Sequence, residues 1–299
     1  MRTFGRGIEG GITMNKHAAR NMTILTIMAL LSGWIGVGVD QLPGLSQPVG
    51  STLGMLLWLL LPLLTVILLR SFFGDGWRDS GLAPRFRSGW ALYGLALMIY
   101  PLIMLIVLLA GWAAGGPPVS ELRLSALAVV AASALPGQLI KNVCEELVWR
   151  GYLTAKLAQG SLSDWGIYAI IGVVWGLWHL PYYLIFLPDE TLSAVLPVSR
   201  NAFAVIALVS IAASSIVYVE LFRISRSIWP CVLMHAVENA LLNPLVTGGY
   251  ASFANRSVWL SPSIGLLTAL LALAAGLLLR SARIRRSATP SIQRRATIG

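Results

Sequence analysis

Between Arg87 and Glu121 the chain carries no charged residue, and most side chains in that interval are apolar. A helix needs about 20 such residues to cross a bilayer. Several other stretches are long enough as well. A lone strand in hydrocarbon leaves its backbone N–H and C=O groups unpaired, whereas a helix pairs them internally. The uncharged runs are also far longer than the strands of a membrane barrel. The expected fold class is therefore all-α: a polytopic membrane helix bundle of about eight transmembrane helices. They are expected roughly at 21–39, 51–69, 88–112, 124–158, 165–187, 201–222, 227–247 and 261–279.

Composition excludes the main competitor. Hydrophobic residues make up 57% of the 299 positions, charged residues 11%, and mean hydropathy is +0.76. Soluble domains carry about 25% charged residues. The net charge of +10 would suggest nucleic acid in a soluble chain. Here the basic residues gather at the chain ends and in alternate loops, which is a pattern of membrane topology. The expected partners are the lipid bilayer and a membrane-associated substrate, with no nucleic acid.

The loops give an orientation. Arg2, Arg6, Lys16 and Arg20 precede the first helix, and Arg70, Arg78, Arg85 and Arg87 fill the second loop. Arg223 and Arg226 mark the sixth loop, and Arg280, Arg283, Arg285, Arg286, Arg294 and Arg295 the tail. The intervening loops hold Asp40, Glu121, Asp189 and Glu190. Both termini are thus expected in the cytoplasm, with the basic tail near anionic lipid. The first apolar stretch lacks a small-residue cleavage site and is expected to be retained as a helix. Cys144 and Cys231 fall in apolar stretches and are expected to be buried free thiols. The turns at 74–76, 115–118 and 160–164 have Gly, Pro, Ser or Asp chemistry. Three regions are expected: helices 1–3 over 1–123, a polar core over 124–250, and a last helix with its tail over 251–299.

The fourth helix, 124–158, would run ~50 Å if straight. It is expected to tilt, kink or project from the membrane, or to break near Pro136 and Gly137.

Ionisable residues inside the spans carry the chemistry. The fourth helix holds Lys141, Glu145, Glu146 and Arg150, the fifth His179, and the seventh His235, Glu238 and Asn239. A charge at mid-span costs on the order of 2.5–3.5 kcal/mol, so such groups face the bundle interior, pair, and usually act. Glu146 and Arg150 are four apart and share a helix face, as are Trp175 with His179 and His235 with Asn239. Glu145 points about 100° away from Glu146, toward the bundle. Glu145 and His179 lie at matching depth, ~21 Å from the hairpin between them, and His235 counts as shallower. A buried carboxylate and imidazoles can activate water, and an amide or second imidazole can donate to an oxyanion. Lys141 and Asn142 are expected near a water-filled cavity without an assigned role, and Glu238 has none. The tryptophans and the Tyr182–Tyr183 pair are expected as interfacial anchors or core.

These residues resemble the CAAX-processing and bacteriocin-processing (CPBP) protease family. Its pattern is Glu-Glu-x-x-x-Arg, Phe-x-x-x-His and His-x-x-x-Asn/Asp on separate membrane helices. This chain reads Glu145-Glu146-Leu147-Val148-Trp149-Arg150, then Trp175-Gly176-Leu177-Trp178-His179, then His235-Ala236-Val237-Glu238-Asn239. Trp175 departs from the usual Phe. The resemblance implies an intramembrane endopeptidase in which Glu145 activates water with His179. It implies that His235 and Asn239 stabilise the oxyanion and that Glu146, Arg150 and Trp175 support the site. It implies no obligatory metal, with zinc on Glu145, His179 and His235 as the alternative. The substrate would be a membrane-associated peptide or protein arriving from the cytoplasmic side, in what is expected to be a bacterial plasma membrane. The competing reading is a transporter or non-catalytic scaffold built on the same Glu/Arg/His cluster.

Overall fold

Each long apolar run becomes a helix in the computed structural model, which describes residues 16–44, 52–116, 123–250 and 257–288. The helices are α1 (Lys16–Asp40), α2 (Leu53–Phe72), α3 (Phe86–Ala113) and α4 (Leu124–Val148). The fourth continues through a wide-turn segment (Trp149–Thr154) into α5 (Ala155–Leu157). Then come α6 (Asp164–Trp178), a second wide turn (Tyr182–Phe186), α7 (Asp189–Val195), α8 (Arg200–Ser225), α9 (Trp229–Thr247), α10 (Ser257–Leu260) and α11 (Leu266–Ala288). Among the described residues there is no strand. Among the described residues, seven helices are long and apolar enough to cross a membrane. The 19-residue α9 is of spanning length too. Its polar residues lower its hydropathy, and α3, α4 and α8 surround it. The chain is an integral membrane protein.

The packing begins with α1 against α2. Gly36 and Gly54 face each other, and a Cβ on either would strike the other's backbone. Small residues let membrane helices approach to backbone contact. The main core then runs between α2, α4, α6, α8 and α9, with Trp149, Trp178, Tyr152 and Tyr218 among its fully buried side chains. The first turns of α4 are largely exposed and face the surroundings of the bundle.

Two sequence expectations need correction. The fourth helix does not break at Pro136 and Gly137, and Pro136 sits inside a continuous α4. Membrane helices tolerate proline where neighbouring groups re-satisfy the freed carbonyl. The irregularity falls instead at Trp149–Thr154, where Thr154 Oγ1 donates to Trp149 O at 2.8 Å. The last helix begins at Leu266 rather than 261 and continues to Ala288, well past 279. The charges that end the hydropathy signal do not end the helix, because Arg280 and Arg283 reach back into the bundle. Arg280 Nε and Arg283 donate to Asp164 at 2.9 and 2.8 Å, and Arg283 Nε donates to Glu220 at 2.6 Å. Arg280 and Arg283 therefore tie α11 to α6 and α8 instead of lying in a free tail. The expectations for Arg2, Arg6, Glu121, Arg294, Arg295 and the second half of the 115–118 turn lie outside the described residues.

The loop after α2 folds up against the end of the bundle and seals it. Arg70, buried at the base of α2, donates to Asp79 at 2.6 Å and to the carbonyls of Gly76 and Gly151. Asp75 accepts from Asn21 at 2.9 Å and from Tyr152 at 2.6 Å, and Lys156 pairs with Asp79 at 3.0 Å. Gly151 has no side chain to hold the loop off; a Cβ there would meet Ser80 O at 2.8 Å. Ser227 Oγ and Trp229 Nε1 donate to Ala83 O and Leu82 O at 2.8 and 2.7 Å, which fixes the start of α9 on this plug.

Asp79 makes the plug sensitive to acid. Burial raises its pKa, but hydrogen bonds and charge from Arg70 and Lys156 outweigh that and hold it below the ordinary 3.8. A carboxylate with a depressed folded pKa stabilises above its unfolded value and loses that contribution as pH falls through the folded one. The wild-type melting temperature in detergent is expected to fall from pH ~5 to pH ~3. Asp79→Asn is expected to melt lower at neutral pH with a flatter acid limb; an unchanged acid limb would show that Asp79 plays no part.

Candidate active site

The four motif residues proposed from the sequence come together on α4, α6 and α9. Glu145 and Glu146 are consecutive near the end of α4 and diverge as helical geometry requires. Glu146 accepts from Arg150 NH1 at 3.0 Å and from His235 Nδ1 at 2.9 Å, all three side chains being buried. The Arg150 guanidinium lies between two rings, 4.0 Å from the centroid of Trp175 and 4.3 Å from that of Tyr218. Arg150 is thus held by one carboxylate and two aromatic faces, an arrangement suited to its planar, weakly hydrated cation.

Glu145 is also engaged at both oxygens. Lys141 Nζ donates to Oε1 at 2.6 Å, and Trp175 Nε1 donates to Oε2 at 3.4 Å. The Glu145 side chain is 1% exposed and that of Lys141 33%, so Lys141 is the partner free to swing away. Lys141 therefore has a partner that was not assigned from the sequence, although its spacing of four from Glu145 was there to read. Trp175 is more than a substitute for phenylalanine, because its indole N–H supplies a hydrogen bond that a phenyl ring lacks.

The histidines are oriented through their Nδ1 atoms. His179 Nδ1 lies 2.9 Å from Trp175 O, which can only accept, so Nδ1 carries the proton. The carboxylate of Glu146 orients His235 in the same way. In both rings Nε2 is left for whatever enters the cavity. His179 and His235 flank Trp175 edge-on, with ring centroids at 5.9 and 5.7 Å. Asn239 Nδ2 donates to Asn142 Oδ1 at 3.3 Å, which ties α9 to α4 beside the site and leaves Asn239 one amide hydrogen.

These groups line one wall of a cavity of about 430 Å³ that includes Lys141, Trp175, His179, His235 and Asn239. Glu145 sits just behind this wall. Aromatic rings line the same cavity. Tyr182 stacks on Trp58 at 5.2 Å and Tyr183 on His179 at 5.7 Å, so this tyrosine pair belongs to the cavity and not to a membrane interface. Glu238 accepts from Tyr218 and also lines the cavity. Glu220, not singled out from the sequence, is buried in α8 and accepts from Tyr168 at 2.6 Å and Arg223 at 3.1 Å. It belongs to the ion network at the basic end, apart from the cavity. Cys231 is buried and Cys144 partly exposed; both are free.

Zinc on Glu145, His179 and His235 requires three ligands turned to one point. Among the described residues no group of three His, Cys, Asp or Glu is so placed. The carboxylate of Glu145 is directed to Lys141 and Trp175 instead. The arrangement as it stands does not fit that ligand set.

A carboxylate, two imidazoles and a carboxamide are thus gathered at one cavity of an all-helical membrane bundle. Residues 124–241 match the family described as Type II CAAX prenyl endopeptidase Rce1-like. That stretch contains every motif residue above and is similar to the Rce1-like family over that length. The match supports a CAAX-type membrane peptidase. No curated protein matches the chain.

Proposed function

We propose that the protein is an intramembrane endopeptidase that hydrolyses a peptide bond with water activated by Glu145 and His179. The observation that carries this reading is the pairing of Glu145 and the Nδ1-anchored His179 on two helices joined through Trp175. Glu145 takes the proton of an attacking water once Lys141 moves off Oε1. His179 Nε2 holds that water or passes its proton toward the leaving amine. Asn239 donates its remaining N–H to the oxyanion, with His235 beside it, one turn away on the same face of α9. Glu146 and Arg150 hold His235 and Trp175 in place.

The test is cleavage of a membrane-anchored peptide library by the purified protein in detergent, with His179→Ala beside the wild type and a chelator in a parallel arm. Wild-type cleavage, its loss in His179→Ala, and indifference to chelator are expected. Loss of wild-type activity on chelation would replace this scheme with a metal-dependent one. No cleavage by the wild type across the library would favour the transporter or scaffold reading.

A further inference from the structure

The two ends of the bundle are unlike, and the cavity belongs to one of them. The end built by the start of α1, the loop between α2 and α3, α5, and the junction of α8 and α9 carries Arg70, Arg78, Lys156, Arg223 and Arg226. It is closed by the plug that Arg70, Asp75 and Asp79 hold against Tyr152 and Lys156. At the opposite end α1 finishes at Asp40, which accepts from Gly54 N at 2.8 Å, and α7 carries Glu190 and Asp189, the latter paired with Arg200, so this end holds far fewer basic residues.

Every level of the cavity lies toward this acidic end. On α9 the residues His235, Asn239, Asn243 and Thr247 follow one another at intervals of four and form a single polar file. The file leads away from the plug for ~18 Å at helical rise. Asn243 and Thr247 are exposed, and Ser263 Oγ donates to Asn243 Oδ1 at 3.1 Å. Thr191 of α7 lines the same cavity. A file of amides and hydroxyls in a cavity also lined by aromatic rings suits an extended peptide, whose backbone needs hydrogen-bond partners inside a membrane.

Basic residues mark the cytoplasmic side of membrane helices. We infer that the active-site cavity opens on the non-cytoplasmic face, and that its substrates are membrane-anchored polypeptides whose scissile segment lies on that face. The substrate part rests on the peptidase reading. The inference reverses the sequence expectation of a substrate arriving from the cytoplasm, because the residues that line the cavity run toward the end away from the plug.

Two arms test it, both on the full-length chain with Cys144→Ala and Cys231→Ala. In the first, Thr247→Cys and Arg226→Cys are treated with a membrane-impermeant maleimide on right-side-out and on inverted vesicles. Thr247→Cys should label at least tenfold more in right-side-out vesicles, and Arg226→Cys should show the reverse. Preferential labelling of Thr247→Cys in inverted vesicles overturns the inference. In the second arm, one cleavable sequence is tethered on either side of a single-span anchor in cells. Cleavage of the outer reporter alone is expected, and cleavage of the inner reporter alone overturns the substrate assignment. If labelling places the mouth outside and neither reporter is cut, the orientation stands and the peptidase reading is what fails.

Discussion

Glu145→Gln is expected to lower kcat by about 10²–10⁴-fold with little change in KM, the usual range for removing a general base. At 1.36 kcal/mol per tenfold, that is about 3–5 kcal/mol of transition-state stabilisation. The change is nearly isosteric, and a glutamine oxygen can still accept from Trp175 Nε1, so the fold should persist. The effect is kinetic because only the ionised carboxylate takes a proton from water. Steady-state rates on a tethered peptide, with a melting curve for each protein, separate the two. A folded Glu145→Gln variant with wild-type kcat would move the base elsewhere, with His179 and Glu238 next in line around the same cavity.

Arg150→Met should cost about 3–5 kcal/mol of stability, the range for breaking a buried ion pair by removing one partner. Glu146 would keep only His235, inside a core where Arg150 and Glu146 are both fully buried. The loss includes the contacts that the guanidinium makes with Trp175 and Tyr218. Arg150→Lys should recover little, since an ammonium cannot lie flat between two rings. The double variant Glu146→Gln with Arg150→Met should regain much of the loss, because removing both charges is far less costly than stranding one. Denaturation in detergent micelles reads all three variants. A double variant as unstable as Arg150→Met would show that packing dominates over charge.

Much of the fold was legible because hydropathy in a membrane chain is a strong signal. The helices lie where the apolar runs predicted, and the Glu146–Arg150 pair followed from a spacing of four. The Lys141–Glu145 pair had the same spacing and was readable by the same rule. What was hidden is non-local. Nothing in the sequence says that Trp229, at the start of α9, is anchored on Leu82 of a distant loop. With that start fixed, His235 meets Glu146 across 89 positions of sequence. Tyr218 with Glu238, and Tyr168 with Glu220, are likewise contacts between helices that no periodicity encodes. The wide turn at Trp149–Thr154 carries no residue signature and emerges only from packing.

That wide turn has a consequence for how the two functions of the fourth helix coexist. An α-helix is a screw of fixed pitch, so the azimuth of one residue dictates the azimuth of every other. Above the turn, Glu145 and Glu146 have to address α6 and α9; in its last residues and below it, Tyr152 and Lys156 have to address the loop that follows α2. Widening one turn resets the phase between those stretches without breaking the rod. The half that faces the cavity and the half that holds the loop are therefore free to be oriented separately, as two sections of a shaft joined by a coupling.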